Sequence, residues 1–136
     1  MAMTVSTEGR GVLTVHIVGG AAETAGGQGA IANPEGAPVV ILRGTIYCVA
    51  PSTAAADLDV GIGATAATLA DDILSDVGID GWAAGKVYNC YAMQNTAETE
   101  IAAPVVWTAS KYLTASGHDA SSAGFEAYLY LEYVRL

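Results

Sequence analysis

The clearest pattern in the chain is the alternation along Phe125 to Leu136, FEAYLYLEYVRL. Phe125, Ala127, Leu129, Leu131 and Tyr133 fall on one face, and Glu126, Tyr128, Tyr130, Glu132 and Val134 on the other. A period of two specifies a strand, and tyrosines at this spacing suit a pleated surface better than a helix. The second face is aromatic and aliphatic enough to predict a cover of its own, from a neighbouring subunit or from the amino-terminal arm.

The same alternation marks Gly11 to Val18, where Leu13, Val15 and Ile17 form the apolar set. Further strands are predicted at Pro38 to Pro51, a β-branched run bounded by prolines, and at Leu58 to Gly63, Lys86 to Gln94 and Glu100 to Ala109. Lys111 to Ala115 extends the last of these past a corner. Gly44 is a candidate bulge and Gly117 to Gly124 a turn. Between Ala66 and Val77, Leu69, Ile73 and Leu74 recur at helical spacing before Gly78, which predicts a short surface helix or a compact loop.

Gly19 to Ala37, rich in glycine and alanine and poor in large apolar residues, reads as a long loop or arm suited to partner contact. The predicted organisation is a strand and arm over 1–37 followed by a core over 38–136. The fold class is all-β, an antiparallel β-sandwich or jelly roll with one short helix and a Gly/Ala-rich N-terminal arm. On this division, a chain lacking residues 1–37 is expected to remain folded.

Composition narrows the function more than it defines it. At 136 residues, one core is the default. Five Lys and Arg against 14 Asp and Glu give a net charge of −9, which repels phosphate backbones and argues against nucleic-acid binding. No run of apolar residues is long enough to cross a membrane as a helix, and the first residues lack a signal-peptide pattern. Cys48 and Cys90 sit in apolar strand-like segments without metal-ligand spacing and are read as buried free thiols.

No nucleophile, base or phosphate-cradling motif stands in a recognisable frame, and no cofactor is called for. The glycines of GIGATAAT lack both the third glycine and the βαβ setting of a dinucleotide site. His16 lies in a strand and His118 in a turn beside Asp119. Asp57, Asp59, Asp71, Asp72, Asp76 and Asp80 form an acidic stretch with no cation between Arg43 and Lys86. Asp57, Asp59, Asp71 and Asp72 are weak calcium candidates, since the spacing fits no calcium loop. The competing expectation is a solvated edge strand for Asp57 and Asp59, and a helix N-terminus for Asp71 and Asp72. Trp107 is expected in the core; Trp82 is read as core or as an interface anchor.

From Ile41 to Leu136, the segments RGTIYCVAP, DLDVGIG, DDILSDVGIDGWAAG and VVWTASKYLTASGHDASSAGFEAYLYLEYVRL resemble, in style, structural proteins of tailed bacteriophages. In those proteins an acidic, Ala/Gly-rich sandwich closes on an aliphatic-aromatic strand. The resemblance implies a capsid decoration (cement) protein, a homotrimer on the outer surface of the major capsid protein, assembled in the host cytoplasm and located on the virion. It also implies capsid or neighbour contacts along Thr4 to Val18 and Gly19 to Ala37. The interface candidates are Val12, Val15, Ile31, Trp82, Tyr128, Tyr130 and Val134. A phage tail or fibre component is the alternative among virion proteins, and a carbohydrate- or calcium-binding β-sandwich module the alternative outside them.

Overall fold

The computed structural model describes residues 1–6, 11–22, 29–90, 99–100 and 104–136. Among these, eleven strands form two antiparallel sheets and no helix forms. The strands are β1 (Ala2–Ser6), β2 (Val12–Val18), β3 (Ala30–Ala32), β4 (Val39–Ala50), β5 (Asp57–Gly63), β6 (Leu74–Gly78), β7 (Val87–Asn89), β8 (Thr99–Glu100), β9 (Val105–Trp107), β10 (Tyr112–His118) and β11 (Glu126–Arg135). Sheet A runs β1-β2-β11-β4-β7, with β9 pairing the far end of β4. Sheet B runs β3-β10-β5-β6-β8.

The alternation in β11 sets the layering. Phe125, Ala127, Leu129, Leu131 and Tyr133 are buried, together with Leu13, Val15 and Ile17 of β2 and Ile41, Ile46 and Cys48 of β4. Sheet B answers with Leu58 and Val60, Leu74 and Val77, and Leu113 and Ala115. These side chains belong to one core cluster, so the two sheets pack face to face as a sandwich. The edges β1 and β3 approach each other on one side, where Gly29 lies against Met3.

Residues 1–37 are not separable from this core. β2 sits between β1 and β11, paired from Val12↔Glu132 to Val18↔Glu126, and its inward residues are fully enclosed. Part of the predicted arm is also sheet: Ile31 of β3 pairs with Leu113 of β10 and is buried. Residues 23–28 of that segment lie outside the described residues. So do 91–94 and 101–103 of the two predicted strands that the structure resolves as β7, β8 and β9.

Two further expectations are corrected. The bulge near Gly44 falls at Leu42, between the pairs Glu132↔Arg43 and Tyr133↔Ile41. Gly44 instead allows close approach: a Cβ there would lie 3.0 Å from Leu131 Cδ2 and 3.1 Å from Cys90 Sγ. Residues 66–77 form no helix; β6 starts at Leu74, and the preceding loop folds back over β5. Thr65 and Thr68 bond to one another, Asp72 accepts from the Ile62 N–H and Ser75 donates to Asp71, local bonds that compete with helical pairing, while β5 draws β6 into its ladder.

Candidate functional site

Two surfaces carry the informative chemistry, one on the outer face of each sheet. On sheet B the outward positions of β5 are Asp57, Asp59, Gly61 and Gly63, and those of β10 are Tyr112, Thr114, Ser116 and His118. They stand opposite one another, Asp59↔Ser116 and Asp57↔His118. The loop after β5 covers much of this face. Ile62 donates its backbone N–H to Asp72 Oδ1 at 2.7 Å, and a Cβ on Gly61 would lie 2.2 Å from that oxygen and 2.7 Å from the Ala70 carbonyl carbon. The glycines of DLDVGIG thus serve loop packing, and Asp59, Thr114 and Ser116 are buried although they point away from the core.

A bulge in the pairing of β5 with β6, between Leu58 and Val60, sets Ser75 and Asp76 against Asp59. Asp76 takes φ 51°, its N–H donates to Asp59 Oδ1 at 2.8 Å, and its own carboxylate swings toward β10. His118 Nε2 lies 2.8 Å from Asp59 Oδ2 and 3.1 Å from Asp76 Oδ1. On the other side of the ring, Nδ1 meets Asp119 Oδ1 at 3.1 Å, with Asp119 at φ 68°. Asp57 brings a carboxylate oxygen within 4.8 Å of donor atoms of Asp76 and His118. A cleft of about 480 Å³ opens beside them, lined by Ala22, Asp59, Leu69, Asp71, Asp76, His118 and Asp119.

The electrostatics follow from this crowding. Burial pushes the Asp59 carboxyl up, against the pull of the Asp76 N–H and of His118. Burial alone would lower His118, but the bond to Asp119 and the charges of Asp59, Asp119 and Asp76 outweigh it and raise the imidazole. Asp119, bonded to His118 and to Asp57, is held below the usual carboxylate range.

On sheet A the outer face is built in rows across the strands. His16, Tyr128, Tyr47 and Val87 form one, Thr14, Tyr130, Thr45 and Asn89 the next, and Val134, Val40 and Val106 a third. Val12, Val18, Val87, Val106, Tyr130 and Val134 are all exposed there, Val134 at 47% and Val106 at 51%. Among the described residues, polar groups on this face bond across strands: Arg43 forks onto Glu132, and His16 Nε2 meets Glu126 Oε1 at 3.1 Å while its ring stacks on Tyr128 at 4.6 Å.

The interface candidates therefore divide. Val12, Tyr128, Tyr130 and Val134 share this face, with Tyr128 half-buried. Val15 and Ile31 point into the core, and Trp82 is buried against Tyr88 (centroids 4.4 Å) and Phe125 (6.0 Å), so none of these three offers a surface. Of the calcium candidates, Asp57 and Asp59 belong to the cluster. Asp71 lines its cleft but accepts from Ser75 Oγ, and Asp72 is spent on the Ile62 N–H. β5 is an interior strand and Asp59 is only 3% exposed, which corrects the solvated-edge reading. The helix-terminus reading of Asp71 and Asp72 falls with the helix. His118, Asp119 and Ser116 were not singled out as ligands in the sequence; only the register of β10 against β5 brings them to the aspartates. Both cysteines are free and buried. In comparisons with known proteins, no family model, curated protein or solved structure matches the chain.

Proposed function

We propose that this chain is a structural virion protein, a capsid decoration subunit that packs the outer face of sheet A against the shell formed by the major capsid protein. The partner comes from the resemblance of Ile41 to Leu136 to phage structural proteins. The observation that supports the mode of action is the outer face itself, with six large apolar side chains exposed, Arg43 paired with Glu132 and Glu126 bonded to His16. On a chain of net charge −9, such a face can lose water against another protein without stranding a charge.

The test mixes the purified chain with shells assembled from the major capsid protein encoded alongside it, and follows co-sedimentation. The wild type should pellet with the shells, and Val106→Glu/Val134→Glu should remain in the supernatant with an unchanged circular-dichroism spectrum. A wild type that fails to pellet, or a folded double variant that pellets equally well, overturns the reading.

A further inference from the structure

We propose that the outer face of sheet B holds a divalent first-row transition-metal ion, of the zinc or manganese class, on the carboxylates of Asp57, Asp59 and Asp76 and on Nε2 of His118. The site is independent of the assembly reading, since it lies on the opposite sheet.

Spacing is the first argument. Two donors about 2.1 Å from a common ion sit roughly 3.0–3.4 Å apart, depending on whether the geometry is octahedral or tetrahedral. His118 Nε2 lies 2.8 Å from Asp59 Oδ2 and 3.1 Å from Asp76 Oδ1, and donor atoms of Asp57, Asp76 and His118 all fall within 4.8 Å of one another. Carboxylates from β5 and β6 thus gather around the imidazole of β10, those of Asp59 and Asp76 close to ligand-to-ligand distance from Nε2.

Nor does hydrogen bonding explain the closeness. His118 Nε2 is buried and makes no hydrogen bond among the described residues, despite two carboxylate oxygens within reach. Its ring partner is on the other side, where Nδ1 faces Asp119. A ligating histidine commonly gives its second N–H to a carboxylate, which fixes the tautomer and leaves the other nitrogen for the metal. With Nδ1–H on Asp119, a divalent ion between Nε2 and the two carboxylates would take the place of the proton that otherwise pairs the ring with them.

A separate observation comes from Ser116. It stands directly across the ladder from Asp59 and two residues before His118 on the same face. It is 1% exposed, and its Oγ has no partner among the described residues. A buried hydroxyl without a partner is unfavourable, and a metal-bound water would give it one. The residues lining the cleft include four aspartates and the histidine but no Lys or Arg, a lining that favours a cation.

Donor chemistry sets the class of ion. Calcium and magnesium favour all-oxygen shells, whereas an imidazole nitrogen combined with carboxylates suits zinc and manganese. Bound there, the ion ties β5, β6 and β10 together.

The experiment uses the untagged full chain after chelator treatment, titrated with Zn²⁺, Mn²⁺, Ca²⁺ and Mg²⁺ by calorimetry and by thermal melting. One equivalent of Zn²⁺ or Mn²⁺ should bind and raise the melting temperature by several degrees at saturating ion, because a ligand held only by the folded chain shifts the transition. His118→Gln and Asp76→Asn should each weaken binding at least tenfold. Asp119→Asn, which only positions the ring, should weaken it about 10–100-fold. Asp80→Asn, exposed and outside the cluster, should leave affinity unchanged. Asp76 is itself exposed, so its variant reports on binding even if His118→Gln fails to fold. Co²⁺ bound at the site should show visible bands that change in His118→Gln. Absence of saturable Zn²⁺ or Mn²⁺ binding to the wild type, binding indifferent to Asp76→Asn, or tighter binding of Ca²⁺ than of either ion overturns the proposal.

Discussion

Cys90 packs against Gly44 with its thiol fully enclosed, and burial pushes that thiol up from its ordinary value of 9.0 to about 12. Burial raises Cys48 as well. Neither should react with a thiol reagent at pH 8 in the native protein, and both should react once it is unfolded. A group whose folded pKa is raised lends stability that is complete below its unfolded pKa and is lost as pH climbs through the folded one. The melting temperature should therefore fall between about pH 9 and pH 12. Cys90→Ala should flatten the early part of that fall; an unchanged profile would mean that the thiol ionises freely. Tyr133, raised by burial and then by its bond to Glu35, adds to the fall at higher pH. The buried free thiols were legible from their apolar sequence setting. The company of Asp59 was not, because His118 reaches it through strand register and Asp76 through a bulge, and neither leaves a mark in the local pattern.

Among elements, β11 was legible to within a residue at each end because one face is core and alternation admits only one register. Leu129→Ala, in the middle of that face, should cost about 2–5 kcal/mol in denaturant unfolding. Tyr130→Ala, pointing outward beside it, should cost under about 1 kcal/mol; equal losses would contradict the layering. Of the two readings of the segment before β6, the loop holds and the helix does not, for a physical reason. Leu69, Ile73 and Leu74 do recur at helical spacing, but Ile73 and Leu74 are buried against sheet B while Leu69 lies exposed at the cleft, so no single helical stripe exists. Likewise β3 was hidden because three small or β-branched residues in a glycine-rich stretch gain strand character only by pairing with β10.

For the molecule as a whole, the aromatic second face of the last strand was visible in the sequence as a surface needing a cover. The structure extends it across sheet A through Val12, Val18, Val87 and Val106. What the sequence obscured was the unity of the core. The strand at Gly11 to Val18 and its apolar set were legible, but setting 1–37 apart from the core missed that Leu13, Val15 and Ile17 fill the shared interior, so deleting those residues removes a wall of the sandwich.

The position of β11 has a consequence for how the chain is made. It is the last of the eleven described strands, yet it lies between β2 and β4, which do not pair with one another. While a ribosome is still short of residue 126, the apolar flanks of both strands wait without their shared neighbour. A chain truncated after residue 124 should be cut readily by protease and held by chaperones, and one that carries β11 should resist both. Protection already complete at residue 124 would show that sheet A closes by another route. Sheet A therefore closes only when β11 joins β2 to β4.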